Sequence, residues 1–140
     1  MPFELNGAPH LIAGYTCTPM VVFPMNDLKA DQHVKGKTVA ELGSWNTPLD
    51  IISYQKKGKT YLLLANASRA LMKIDPANIE QYKDYLTEQV SQDKGTDGIH
   101  FLALPFVNVL QMDNYDDAVL LLQRKTNGSL DLYLANQRQL

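Results

Sequence analysis

Gly58-Lys59-Thr60-Tyr61-Leu62-Leu63-Leu64-Ala65-Asn66 and Gly128-Ser129-Leu130-Asp131-Leu132-Tyr133-Leu134-Ala135-Asn136 align without a gap and share Gly, Leu, Leu, Ala and Asn. Each copy follows an apolar run and a polar tip: residues 51–55 before Lys56-Lys57, and residues 118–123 before Arg124-Lys125-Thr126-Asn127. Two apolar runs joined by a polar tip ending in glycine form a β-hairpin, because glycine supplies the positive φ of a tight turn. The chain therefore carries one hairpin pattern twice.

A weaker copy lies near the start. Leu11-Ile12-Ala13-Gly14, a polar spacer and Met20-Val21-Val22-Phe23-Pro24 parallel Leu63-Leu64-Ala65-Asn66, a spacer and Met72-Lys73-Ile74-Asp75-Pro76. Three such units in 140 residues give about 45 residues each, the size of a four-stranded propeller blade. Elsewhere too, short runs of Val, Ile, Leu and Tyr alternate with Gly, Pro, Asn and Asp, a strand-and-turn signal. Strands are expected over 11–15, 20–23, 38–42, 49–54, 60–65, 70–74, 100–104, 107–111, 118–123 and 130–135. One helix interrupts them: Ile79, Tyr82, Leu86 and Val90 recur at helical spacing, Asp75 suits the cap and Pro76 the first turn. A helix from Pro76 to Val90 is expected, followed by a solvated polar loop over 91–98. The fold class is thus mainly β, a partial β-propeller of antiparallel four-stranded blades with one inserted helix, in a single β-rich domain spanning 1–140.

The stretch Glu41-Leu42-Gly43-Ser44-Trp45-Asn46-Thr47-Pro48-Leu49-Asp50-Ile51-Ile52, with residues 58–66 and Leu71-Met72-Lys73-Ile74-Asp75, resembles the repeats of YVTN-type and related β-propellers. Those repeats place a Gly and a Pro between blades, end a hairpin in Ala-Asn or Thr-Asn, and end a third strand in Ile-Asp. Two departures stand out: five positions separate Gly43 from Pro48 where the family usually has three, and the helix opening at Pro76 intrudes after the third strand. The resemblance implies blades that cannot stand alone, since a propeller ring closes only when some four to eight of them cover one another. On this view the stretches around Leu64 and Leu134 are equivalent sheet edges of successive blades, apolar on both sides. The first unit is expected to lack its innermost strand and the last to end after its second. Self-association, or an N-terminal portion that completes the ring, is the partner expected to cover the open faces.

Composition narrows the function. With 45% hydrophobic and 20% charged residues and a net charge of −2, the chain has a globular balance and no basic field for nucleic acid. No apolar run reaches the roughly 18 residues of a membrane helix. Cys17 is the only cysteine, which excludes an intrachain disulfide framework. The N-terminal residues lack the cationic start and apolar stretch of a secretory signal, so a full-length chain would be cytoplasmic and a fragment of a longer precursor could be exported.

Strand direction sorts the connections onto two faces. One collects loops 15–18, 43–47, 66–69 and 136–138; the other collects the lysine and arginine tips at 56–59 and 124–125. The first offers Tyr15, Trp45, Asn46, Asn66 and Arg69, residues able to stack, to hydrogen-bond in two directions or to grip an anion, and these are the candidate ligand-binding residues. The bland alternative has Trp45 packed between blades and the asparagines bonded to their own turns. His10, His33 and His100 lack local metal-ligand spacing, Asp113, Asn114, Asp116 and Asp117 lack calcium-loop phasing, and no phosphate loop or nucleophile elbow is present. No catalytic residue, metal or cofactor is expected. The function expected is a noncatalytic binding or scaffold module presenting loops to a protein or small molecule. The alternatives are an enzyme or enzyme subunit using His100, Asp50 or Cys17 between blades, and a small oligomeric lectin stacking sugars on Trp45.

Overall fold

The computed structural model describes residues 1–17, 19–93 and 95–140; Thr18 and Lys94, expected in loops, lie outside the described residues. The chain is mainly β and its sheets are antiparallel. In chain order the elements begin β1 (Pro2–Leu5), β2 (Ala8–Gly14), β3 (Pro19–Pro24), β4 (Lys37–Glu41), β5 (Pro48–Lys56), β6 (Lys59–Asn66) and β7 (Met72–Ile74). They continue with α1 (Pro76–Gln81), β8 (Asp97–Gly98), β9 (Leu102–Ala103), β10 (Val109–Tyr115), β11 (Ala118–Arg124) and β12 (Leu130–Ala135). Two compact units result: Met1–Asn46 with Ala77–Ile99, and Thr47–Pro76 with His100–Leu140.

The first unit holds a five-stranded sheet in the order β1-β2-β3-β4-β8. Its leading hairpin pairs Leu5 with Ala8 around Asn6 and Gly7, whose φ values of 50° and 70° suit the Asn-Gly dipeptide favoured at two-residue turns. This strand corrects the expectation that the first unit lacks one ahead of residues 11–15. One sheet face carries Val21 and Phe23, and the chain folds back onto it: a Cβ on Gly36 would sit 2.4 Å from the Val21 Cγ1 and 2.6 Å from the Phe23 Cε1. Only glycine permits that approach.

The helix is much shorter than the expected 76–90, ending at Gln81. Tyr82, Leu86 and Val90 are still the more sheltered positions beyond it, but the backbone leaves the helical path. Leu86 N–H donates to the Thr38 carbonyl at 2.9 Å, exchanging a helical bond for one to β4. A helix of six residues gains little from propagation, so the sheet edge wins. The tail of the expected 91–98 loop also joins this edge, as Gly98 pairs with Ala40.

The second unit consists of a four-stranded sheet, β5-β6-β7-β9, and a three-stranded sheet, β10-β11-β12. Between β5 and β6, Lys57 and Gly58 both take positive φ, 51° and 74°. The two sheets share one core in which Tyr54, Leu63, Ala65, Val109, Met112, Val119, Leu121 and Ala135 are buried together. Met112 N–H donates to Asp50 Oδ2 at 2.7 Å and Asn114 Nδ2 donates to the Ser53 carbonyl at 2.9 Å, tying β10 to β5. Tyr54 donates its hydroxyl to the Leu140 carbonyl at 3.0 Å, and burial followed by the nearby Tyr61 pushes its pKa up to about 12. Lys73 donates to the same carbonyl at 2.7 Å and lies 3.9 Å from the centre of the Tyr61 ring. Burial first, then Lys56, lowers its pKa.

The repeated hairpins do not occupy equivalent places. β5 and β6 open their sheet, whereas β11 and β12 close theirs, an offset of one strand. β6 is an interior strand between β5 and β7; among the described residues β12 pairs only with β11 and is an edge. The expectation that Leu64 and Leu134 mark equivalent sheet edges is therefore corrected. Among the described residues the sheets are open and hold five, four and three strands in place of a uniform four. The expected strand at 107–111 lies further along, as Val109–Tyr115, and that at 100–104 shrinks to Leu102–Ala103.

Candidate binding site

In the first unit the turn after β2 and the loop after β4 come together. Tyr15 N–H donates to the Pro19 carbonyl at 3.0 Å, closing the β2–β3 turn, and Cys17 N–H donates to the Asn46 carbonyl at 3.1 Å. Loop 43–46 is held at several further points: Asn46 N–H donates to the Gly43 carbonyl at 3.0 Å and Ser44 N–H to the Gly95 carbonyl at 3.3 Å. Glu41 Oε1 accepts from Gly43 N–H at 3.1 Å.

These bonds fix both neighbours of Trp45 and leave the indole outside. Trp45 is 76% exposed at a φ of 67°, a backbone region costly for a bulky side chain. Folding alone does not favour an aromatic ring in water on a strained backbone. Tryptophan is among the residue types enriched as anchors at interfaces.

Beside the loop lies a cavity of about 310 Å³ whose wall includes Cys17, Thr38, Glu41, Ser44 and Glu88. Trp45 follows directly on Ser44 of that wall. Glu41 is only 8% exposed, and carboxylates are seldom so deeply buried. The wall has two acids, Glu41 and Glu88, and hydroxyls from Thr16, Thr38, Ser44 and Thr87, with no lysine or arginine among the described residues. Its chemistry suits a cation or a donor-rich group.

Of the five candidate ligand residues, Tyr15, Trp45 and Asn46 lie on these joined loops. Tyr15 is 49% exposed. Asn46 is buried, and its backbone locks the loop. Asn66 and Arg69 belong to the second unit. There Asn66 is buried, and its Nδ2 donates to the carbonyls of Leu64 at 3.1 Å and Ala70 at 3.3 Å. It braces the link from β6 to β7, and Arg69 is half-buried on that link. Ala67 N–H, on the same link, donates to the Thr47 carbonyl at 2.9 Å.

Glu41 and the 86–90 segment were not singled out from the sequence. A lone acid inside the apolar run Thr38-Val39-Ala40-Glu41-Leu42 was the available signal, since an acid at a core position asks for a reason. His10 Nδ1 sits 2.9 Å from the Ala8 carbonyl, and no three metal-ligating side chains converge among the described residues. No helix is long and apolar enough to cross a membrane among the described residues. Comparison with known proteins finds no family model, curated protein or solved structure that matches the chain.

Proposed function

We propose that the chain is a noncatalytic binding module, a partial β-propeller of the YVTN-like kind, whose loops 15–17 and 43–46 hold the cationic group of a partner. That group is a small amine or a basic side chain of a protein. The observation that carries the proposal is Trp45, exposed on a left-handed backbone whose two neighbours are both pinned. The buried Glu41 and the acceptor-rich cavity wall supply the charge preference, and an indole face attracts cations as well.

Two features support the propeller arrangement. Antiparallel meanders follow one another along the chain: β1 to β4, β5 to β7, and β10 to β12. A free-standing sandwich turns polar residues outward from both sheets, and the second unit does not. Leu62, Leu64, Met72 and Ile74, on the far face of one sheet, are buried, and the far face of the other bears exposed leucines. Sheets apolar on both sides are what stacked blades require.

Trp45 is the sole tryptophan, so its fluorescence reports directly on the loop. Titration with arginine amide or a small diamine is expected to shift or quench the emission. In calorimetry, Trp45→Ala is expected to weaken binding about tenfold or more, the scale of a lost aromatic anchor. Unchanged emission with every cation at millimolar concentration would overturn the proposal. A response confined to neutral oligosaccharides would move it to the lectin alternative.

A further inference from the structure

The three-stranded sheet β10-β11-β12 has a second face that the core does not use. Val119, Leu121, Tyr133 and Ala135 point into the core, so by strand alternation Leu120, Leu122, Leu130, Leu132 and Leu134 share the opposite side. The register confirms the grouping, pairing Leu120 with Leu134 and Leu122 with Leu132. Leu130, Leu132 and Leu134 are 58%, 63% and 49% exposed, and Leu120, Leu122 and Leu132 line a shallow depression of about 260 Å³. Five clustered leucines, three exposed and two half-buried, mark an interaction surface.

We propose that this leucine face is the contact between two copies of the chain, packed sheet on sheet about a twofold axis running across the strands. Charge placement selects the partner. Asp113 pairs with Leu120 at one end of the face and Arg124 with Leu130 at the other, about 13 Å apart along β11. Neither takes part in an ion pair among the described residues. A twofold that reverses the strands brings Asp113 of each copy to the Arg124 end of the other, so two ion pairs frame the leucines. An unrelated apolar surface would have to supply both charges at that spacing, whereas a second copy carries them already.

Head-to-tail stacking would require a different bare sheet face, and the Val21 and Phe23 face of the first unit is already met by the chain at Gly36. An isologous contact needs only one patch. At strand spacings of about 4.8 Å and rises of about 3.4 Å per residue, the face measures roughly 15 by 20 Å. Such a patch belongs to the weak, transient class below about 1,200 Å² in total. The dimer is therefore expected to be in rapid exchange, with a dissociation constant of roughly tens of micromolar.

Sedimentation equilibrium of the full chain, from about one micromolar to several hundred micromolar, tests the proposal across that range. The mass is expected to rise from one chain to two and to stop there. Leu132→Glu, at an exposed position, is expected to keep the circular dichroism spectrum and to raise the dissociation constant on the order of a hundredfold by burying an unpaired charge. Asp113→Arg and Arg124→Asp are each expected to weaken the dimer about tenfold, and the two together to restore it, which a merely hydrophobic contact would not do. A monomer at every concentration, a dimer indifferent to Leu132→Glu, failure of the double charge exchange to restore association, or oligomers that grow without limit would each overturn the proposal. So would a stable complex with a different chain on this face in place of the dimer.

Discussion

Leu64 in β6 is 1% exposed and Leu134 in β12 is 49% exposed, although each stands before Ala-Asn at the end of a strand built on one motif. What differs is the neighbourhood. β6 has strands on both sides and is buried from Leu62 through Asn66. β12 is an edge, covered on one face by the shared core and bare on the other. One sequence pattern therefore serves two roles, because period-two alternation specifies which residues share a face and not whether that face is covered.

The largest effect is expected in the core. Leu63→Ala removes a side chain that is 0% exposed, and the lost contacts and cavity are expected to cost about 2–5 kcal/mol in urea denaturation. Leu134→Ala at low protein concentration is expected to change stability by no more than about 0.5 kcal/mol. A comparable loss at Leu134 in dilute solution would mean that its face is already covered within a single chain.

The turns should behave alike where the strands do not. Gly58 and Gly128 have φ of 74° and 85°, with nothing within 4 Å of an added Cβ. Gly58→Ala and Gly128→Ala are each expected to cost about 1 kcal/mol from backbone strain alone. Equal shifts of the two urea midpoints would show that the hairpins share local chemistry despite their different burial.

The smallest effect belongs to the exposed ion pair between Lys125 and Asp131. Its atoms are 2.9 Å apart, with both side chains half-exposed. Lys125→Ala is expected to cost at most about 0.5 kcal/mol, and less in high salt. A larger, salt-independent loss would show that β12 is shielded from solvent.

Much of the architecture was legible because it is local. The hairpin glycines, the alternation in residues 118–123 and the Val, Ile and Leu runs all act between residues close in the chain. Asn6-Gly7 was legible too, as the strongest short turn signal in the first unit, but the strand ahead of it is only four residues long, Pro2–Leu5, too short a run for alternation to mark by itself. The end of the helix was not legible. Tyr82, Leu86 and Val90 keep helical spacing, but the Leu86 N–H is taken by the Thr38 carbonyl, distant in sequence. The candidate site divides in the same manner. Tyr15 and Trp45 announce themselves as aromatic residues in turns, whereas Glu41 and the 86–90 wall become neighbours only through that long-range bond.

Turn chemistry and side-chain alternation, written into segments of about ten residues, are enough to set the strands, their hairpins and the grouping of leucines on common faces. Which hairpin lies inside a sheet and which forms its edge, which leucines stay wet, and where a buried carboxylate meets a strained tryptophan loop depend on sheet order. Sheet order pairs residues far apart along the chain, and a leucine run such as 62–64 or 120–122 satisfies the interior and the open edge equally well until its neighbours are in place.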